Sequence, residues 1–242
     1  MKITTVGFDL AKNVFQVHGV DERGRAVLKK QLRRRQVTEF FANLPSCLIG
    51  MEACGGAHYW ARRLQDLGHT VRLISPQFVK PYVKTNKNDA ADAEAICEAV
   101  GRPNMRFVPV KNVAQQGALA LHRVRQGLVK ARTAQANQIR GLLAEFGIVI
   151  PKGISQLYAK LPEALEDATN ELPNSVRALM LRVFEHLKEL ERQAKELEAQ
   201  IAAWHRDNEQ SRKLAAIPGI GVQITKIGLH CSNCRTARAN CA

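Results

Sequence analysis

The stretch Lys2-Ile3-Thr4-Thr5-Val6-Gly7-Phe8-Asp9 decides the fold, because its β-branched and apolar side chains predict a strand that ends on a carboxylate. Residues 14–20 alternate between apolar and polar positions and predict a second strand. The turn sequence at residues 21–24 leads into a third predicted strand at residues 26–32. Three early strands with short links predict an antiparallel meander.

From residue 37 onward, helical and strand patterns alternate along the chain. The predicted elements are a short helix at 37–44, a strand at 47–52, a helix at 57–67, a strand at 70–75, one or two helical turns at 77–83 and a helix at 89–100. This β-β-β-α-β-α-β-α order predicts an α/β fold, in which helices flank a mixed sheet.

The chain becomes helical in composition after Pro103. A long helix is predicted at residues 113–146, and residues 147–174, with three prolines, predict a connector that holds short helical pieces. A second long helix carries apolar side chains at a period of 3.5, which is typical of a coiled coil, between chains or as a hairpin; the alternative is a long helix packed on its own domain. These side chains belong to Val176, Met180, Val183, Leu187, Leu190, Ala194, Leu197, Ile201 and Trp204.

Composition limits the classes of function. The 242 residues include 36 Lys and Arg against 22 Asp and Glu, and the resulting charge of +14 predicts a polyanionic partner such as nucleic acid. The aromatic content of 5% argues against single-strand binding by base stacking. We expect no membrane span, because no apolar run approaches the roughly 20 residues that a span needs, and no signal peptide, because the N-terminus meets a charge too early. We therefore expect a cytoplasmic protein whose cysteines are thiols.

Four acidic residues stand where a metal site requires carboxylates. Asp9 and Glu52 end the first and fourth predicted strands, and Asp89 and Asp92 lie three residues apart at the start of a helix. Each also has an ordinary explanation, since Asp9 suits a turn, Asp89 a helix cap and Asp92 the helix dipole. Together, in this order of elements, they are typical of a ribonuclease-H-like domain that catalyses phosphoryl transfer with two Mg²⁺ ions.

Three blocks resemble the motifs of one known family. Phe8-Asp9-Leu10-Ala11-Lys12, Met51-Glu52-Ala53-Cys54-Gly55 and Lys87-Asn88-Asp89-Ala90-Ala91-Asp92-Ala93 are similar to those of the DEDD transposases of bacterial insertion sequences, the RuvC-like recombinases of the IS110 group. The resemblance runs from residue 2 to about residue 222. It implies that Asp9, Glu52, Asp89 and Asp92 are a catalytic tetrad that coordinates Mg²⁺, or Mn²⁺ in its place, and that DNA and a guide RNA are partners.

The sequence patterns and the resemblance together predict a division of the chain. We expect the first part of a RuvC-like catalytic domain at 1–103, a basic helix that completes or extends it at 104–150, and a connector at 151–174. A coiled coil that joins protomers into a homo-oligomer is expected at 175–210, centred on 176–204. Residues 211–242 are expected to hold the start of a second transposase domain and a tail that does not resemble the family.

The tail after Gly221 leaves two alternatives open. His230, Cys231, Cys234 and Cys241 are residue types that ligate zinc, and a Cys-x-x-Cys pair is half of such a site. The other alternative, which we favour, is an out-of-frame or truncated end, because the composition changes abruptly. In the family the following domain carries a serine nucleophile, so we expect this chain to be defective in complete recombination.

Two basic stretches predict contact with phosphates. One runs from Arg23 to Arg35, and the other extends from Ala99 to Ala144 with eight Lys or Arg and no acid, which predicts an all-positive helix that would repel itself without a polyanion. The candidate nucleic-acid contacts are Arg33, Arg34, Arg35, Lys84, Lys87, Arg123, Arg125, Lys130, Arg132 and Arg140.

The sequence therefore predicts an insertion-sequence transposase that performs Mg²⁺-dependent strand exchange on phosphodiesters. Two alternatives remain open at this point. One is a metal-dependent nuclease for branched DNA on the same fold, and the other is a non-enzymatic remnant that binds nucleic acid and oligomerises.

Overall fold

The computed structural model describes residues 2–83 and 89–218, and for residues 89 and 90 it describes the backbone only. The chain divides into two compact units, one extending through Gln115 and the other beginning at Gln116. The first unit includes a short strand after residue 103, which joins its sheet. None of the described helices is long and apolar enough to cross a membrane.

The first unit contains a six-stranded sheet in the order β3-β2-β1-β4-β5-β6. The strands are β1 Thr5–Asp9, β2 Val14–Val20, β3 Ala26–Arg33, β4 Leu48–Glu52, β5 Thr70–Ile74 and β6 Phe107–Val108. Strands β1, β2 and β3 form the predicted antiparallel meander. β4 and β5 extend the sheet in parallel with β1, and β6 closes it antiparallel to β5, so the mixed sheet is confirmed.

Helices cover both faces of this sheet. They are α1 Val37–Ala42, α2 Ala57–Asp66, the single turn α3 Pro76–Val79 and α4 Asp89–Val100. Side chains alternate between the two faces along a strand. Phe8 on β1 faces α1, where its ring lies 5.1 Å from that of Phe41, in a core that Trp60 of α2 also joins. Gly7, next to Phe8, faces α4 on the opposite side. This architecture is consistent with a ribonuclease-H-like fold.

Two glycines allow α4 to lie against the sheet. A Cβ at Gly7 would overlap the Ala93 carbonyl oxygen and come within 2.5 Å of the Cys97 backbone nitrogen. A Cβ at Gly50 would come within 2.7 Å of the Val100 Cβ. Because backbone atoms of α4 cannot yield at Gly7, the absence of a side chain there fixes how closely this helix approaches β1.

The second unit is helical. Its helices are α5 Val113–Ala144, which begins in the first unit, α6 Ile154–Glu166, α7 Asn174–Asp207 and α8 Glu209–Ala215. α5 and α7 run antiparallel, since Gln135, Arg132 and Arg125 meet residues progressively later in α7. The core combines side chains of three helices, namely Ala136, Ile139 and Leu143 of α5, Leu157, Leu161 and Leu165 of α6, and Met180, Phe184 and Leu187 of α7.

The apolar stripe of α7 is covered within the chain. All nine predicted stripe residues are buried or half-buried, and Phe184, outside the 3.5 period, is buried as well. The covered face is therefore wider than a coiled-coil seam, because α5 and α6 both pack against it. The connector also holds a longer helix than expected, since α6 continues through Pro162 for 13 residues.

Candidate active site

Asp9 and Glu52 lie side by side at the ends of two parallel strands. β1 and β4 pair from Thr5 with Leu48 to Phe8 with Met51, and the two acids are the next residue on each strand. Neighbouring strands are about 4.8 Å apart, so the register places the two residues at about that spacing. Both acids are half-buried, which partly shields them from water.

Both acids point to the face of the sheet that α4 covers. Asp9 is two residues from Gly7 and Glu52 is two residues from Gly50, and both glycines face α4. Since residues two apart share a face of a strand, the two carboxylates extend toward α4. The strand pairing on both sides of β1 and β4 fixes these positions, because β1 lies between β2 and β4, and β4 between β1 and β5.

The first turns of α4 approach the same end of the sheet. Ala93 and Cys97 lie on the stripe that contacts β1, where the Cys97 thiol donates to the Thr5 carbonyl oxygen at 3.8 Å. Position 89 is one turn earlier on this stripe, toward the Asp9 end of β1. Asp92 is half-buried and lies one turn before Ile96, on the stripe that packs with the β5 side of the core.

The negative charges of the two strand-end carboxylates affect the pKa of the Cys54 thiol. Its pKa lies above the ordinary value, first because the half-buried thiol is desolvated, and then because the negative charges of Glu52 and Asp9 oppose a thiolate. Asp9 and Glu52 therefore act on one and the same neighbouring group.

The structure describes the side chains of three members of the predicted tetrad, Asp9, Glu52 and Asp92. Among the side chains that the structure describes, no three His, Cys, Asp or Glu residues form a group able to hold a metal ion. The side chain of Asp89 lies outside that set, as do all atoms of the candidate zinc ligands His230, Cys231, Cys234 and Cys241. What the described side chains bring together is the Asp9 and Glu52 pair.

Comparison with known proteins identifies the family. The sequence model of a transposase family, the DEDD transposases of the IS110 type, matches residues 6–148. Similar proteins include "Probable family 20 transposase" of Pseudomonas aeruginosa, 51% identical over 91% of this chain, and the transposase for insertion sequence element IS1328 of Yersinia enterocolitica, 45% identical over 93%. The transposase for insertion sequence element IS1111A of Coxiella burnetii is 39% identical over 95% of this chain.

The chain belongs to the IS110 family of transposases. The resemblance predicted from the three motif blocks is thereby confirmed. The chain spans 66%, 68% and 63% of the lengths of the three relatives.

The N-terminal arginines of this transposase lie around the last strand of the meander. Arg33 and Arg35 are exposed, and the guanidinium of Arg34 lies 5.3 Å from the ring centre of Trp60, where it makes a cation–π contact. Lys84 and Lys87 lie outside the described residues.

Two arginines of α5 have intramolecular partners that the sequence did not indicate. Arg125 pairs with Glu198, and Arg132 pairs with Glu191 at 2.5 Å. Acids of α7 therefore balance the charge of two cations of this stretch. Arg123 and Lys130 are exposed.

Two further cations of the same stretch also have partners within the chain. Arg140 donates to the backbone carbonyl oxygens of Pro151 at 3.2 Å and Gly153 at 2.6 Å. Lys111 is buried, and its ammonium lies 2.9 Å from Nε2 of His58. No sequence signal marks the Lys111–His58 contact, because the two residues are 53 positions apart.

Proposed function

We propose that this chain carries the RuvC-like catalytic centre of an insertion-sequence transposase and acts on phosphodiester bonds of DNA. The observation that carries the proposal is the pairing of β1 with β4, which sets Asp9 and Glu52 side by side on the face that α4 covers. Membership of the transposase family supports it, since the matched region includes both residues.

The residues fit a hard divalent cation. Mg²⁺ prefers carboxylate oxygens, which Asp9 and Glu52 supply at neighbouring strand ends. The addition of Asp89 and Asp92 from α4 rests on the family resemblance, because the described side chains of Asp9, Glu52 and Asp92 form no three-residue metal group. Mn²⁺ takes the same ligands. The chemistry supplied by such an ion is polarisation of the phosphodiester and stabilisation of the charge on the attacking and leaving oxygens.

The scaffold's own contribution is rigid positioning. Asp9 and Glu52 end strands that are hydrogen-bonded on both sides, so their backbones are fixed before substrate arrives. The contact of α4 with Gly7 and Gly50 sets how far the acids of α4 lie from those of the sheet. Because both carboxylates are half-buried, fewer water molecules would compete with a bound ion or substrate for them.

We further propose that a guide RNA and a second copy of the chain take part. The guide RNA follows from the family resemblance, and it suits a basic protein with few aromatic residues. For a homo-oligomer through 176–204, the outward face of α7 is available, where Leu179 and Leu181 are half exposed. Light scattering of the full chain, with Leu181→Glu as the comparison variant, tests whether that face joins protomers.

Replacement of the strand-end acids tests the catalytic proposal. Asp9→Asn or Glu52→Gln should lower Mg²⁺-dependent strand cleavage and joining by about 100-fold or more, because loss of a metal ligand weakens both metal binding and transition-state stabilisation. Cleavage and joining of DNA carrying insertion-sequence ends would be followed in Mg²⁺, in Mn²⁺ and in EDTA. Asp66→Asn is the matched control, since Asp66 is an exposed acid at the end of α2.

The outcomes separate the alternatives. Loss of activity in Asp9→Asn but not in Asp66→Asn supports the proposal. Cleavage of branched DNA that is complete without any RNA would favour the simple junction nuclease. Unchanged activity in both Asp9→Asn and Glu52→Gln would overturn the assignment of these two acids to catalysis. No cleavage or joining by the wild-type chain would favour a non-enzymatic binding protein.

A further inference from the structure

A row of polar side chains crosses four strands of the sheet at the candidate site. Asp9 lies opposite Gln16 of β2, and Gln16 lies opposite Gln31 of β3. Glu52 of β4 continues the row on the other side of Asp9. Directly opposed residues of paired strands share a face, so all four side chains lie on the face that α4 covers. The carboxylate pair thus continues into an amide pair toward β3.

Two exposed cations flank the outer end of this row. Lys29 and Arg33 each lie two residues from Gln31 on β3, so they share its face. Lys29 pairs in register with His18 of β2, and Arg33 pairs with Val14. Lys29, Gln31 and Arg33 are all exposed, and β3 is the edge strand of the described sheet.

A groove joins this edge to the neighbourhood of the carboxylates. It has a volume of about 310 Å³ and lies between β2, β3 and the first turns of α4. Its walls are formed by Gln16, Val17, His18, Lys29, Lys30, Gln31, Ala91, Ala93 and Glu94. The ammonium of Lys30 lies by the Phe40 ring, on the other face of β3 from Lys29 and Gln31. Gln16 lines the groove and also lies opposite Asp9 in the pairing of β1 with β2. The groove therefore ends beside the candidate active site.

The chemistry of the row fits a phosphodiester backbone. Amide N–H groups and Lys or Arg side chains are the donors that proteins use most for phosphate oxygens, and such contacts position a strand without reading its sequence. From Asp9 to Gln31 the row covers two strand spacings, about 10 Å. A nucleic-acid strand on this path would therefore be held by contacts to its phosphate backbone, and not to its bases, up to the carboxylates.

We propose that the substrate strand crosses β3 and β2 along Gln31 and Gln16, held by Lys29 and Arg33, before its reacting phosphodiester reaches Asp9 and Glu52. This inference rests on the proposed function at one point: it takes Asp9 and Glu52 as the residues at which the phosphodiester reacts. The four residues are positioning residues for a single strand of the DNA substrate, bound through its phosphates.

Lys29 and Lys30 provide a matched pair of variants. The two lysines are adjacent on β3 but point to opposite faces, and the Lys30 ammonium lies 5.2 Å from the ring centre of Phe40, where it makes a cation–π contact. Binding of fluorescein-labelled single-stranded DNA, and of RNA of the same sequence, would be measured by anisotropy with the full chain in EDTA. A salt titration of each complex separates phosphate contacts from other effects.

Lys29→Ala is expected to weaken binding about fivefold and to lower the salt slope by about 0.7, the effect of one lost phosphate contact on a single strand. Lys30→Ala should leave the slope unchanged. Equal slopes for the wild-type chain and both variants would overturn the proposal, since Lys29 would then be an ordinary solvated edge-strand lysine. A loss with the DNA probe supports the path of the substrate strand, whereas a loss confined to the RNA probe would overturn it.

A photocrosslink gives a second readout that does not depend on catalysis. With p-benzoylphenylalanine in place of Gln31, irradiation should attach the bound oligonucleotide to β3, whereas the same group in place of Lys30 should not. No crosslink from position 31 in a variant that still binds the probe would overturn the path. If instead Asp9→Asn kept full cleavage while Lys29→Ala lost binding, the catalytic proposal alone would fail.

Discussion

At the scale of single residues, Cys54 makes the charge of the strand-end acids measurable. Its pKa is raised by burial and then by Glu52 and Asp9, so less of it is thiolate than an ordinary cysteine would be at the same pH. Glu52→Gln removes one opposing charge and should lower this pKa. We expect faster alkylation of Cys54 by iodoacetamide at pH 8, followed by mass spectrometry of its peptide.

The same measurement has internal references. Cys47 and Cys97 are buried, and burial raises the pKa of each to about 11, so both should remain slow in the wild-type chain and in the variant. Asp66→Asn, a charge change at the end of α2, should leave the Cys54 rate unaltered. A Cys54 rate that is the same in Glu52→Gln and wild type would show that the carboxylate does not act on this thiol.

At the scale of elements, the antiparallel pair of α5 and α7 depends in part on charge. The pKa of Glu191 is lowered: burial raises it, but the hydrogen bond and charge of Arg132 and the charge of Lys195 outweigh burial. Because the pKa of Glu191 is lower in the folded than in the unfolded state, its ionised form stabilises the fold. This stabilisation is complete above the ordinary glutamate pKa, about 4.3, and is lost as the pH falls through the folded-state pKa.

Glu191→Gln should therefore lower the free energy of unfolding by about 1 kcal/mol at pH 7, with the difference from wild type closing as the pH falls below about 4. Urea unfolding followed by circular dichroism across this pH range measures it. Glu185→Gln is the control, since Glu185 pairs with Lys188 on the exposed side of α7 and should change little. A difference that persists unchanged at acid pH would mean that the ion pair is not its source.

The elements themselves were largely predictable from local pattern. Alternation and apolar runs predict β2 to β5 and α4 within one residue, because those segments carry their own periodic signal; β1 ends at Asp9 as predicted but begins three residues later, at Thr5. β6 was missed, since two residues carry no period, and it exists through pairing with β5. The 3.5 spacing of the α7 stripe predicts a coiled coil; in the structure side chains of α5 and α6 pack against the stripe, as in the alternative of a helix packed on its own domain.

In the candidate site, too, local sequence patterns predict some features, whereas others depend on contacts between distant residues. Asp9 and Glu52 were predicted from their positions at strand ends, and β1–β4 pairing places them together. The row formed with Gln16 and Gln31 could not be predicted, because it depends on the register of three strand pairs. The partners of Arg125 and Arg132 are likewise supplied from far along the chain, 73 and 59 residues away.

At the scale of the whole molecule, the net charge of +14 does not show which of the 36 Lys and Arg residues are available to a polyanion. Arg125 and Arg132 are paired with acids of α7, Arg140 binds backbone carbonyls, and Lys111 is buried. Other cations of the chain, such as Arg123 and Lys130, are exposed along the same helix. Nucleic-acid affinity should therefore depend on which cations are exposed and not on the net charge alone.

Arg123 and Arg125 test this distinction, because they lie two residues apart on α5 and differ in their partners. Arg123→Ala should lower the salt slope for duplex DNA binding by about 0.9, as one lost phosphate contact does, with an unchanged melting temperature. Arg125→Ala removes the partner of Glu198, so it should lower the melting temperature while the slope changes less. Equal slope losses would mean that Arg125 leaves Glu198 for phosphate when DNA binds, and α7 would then lose that pair on binding.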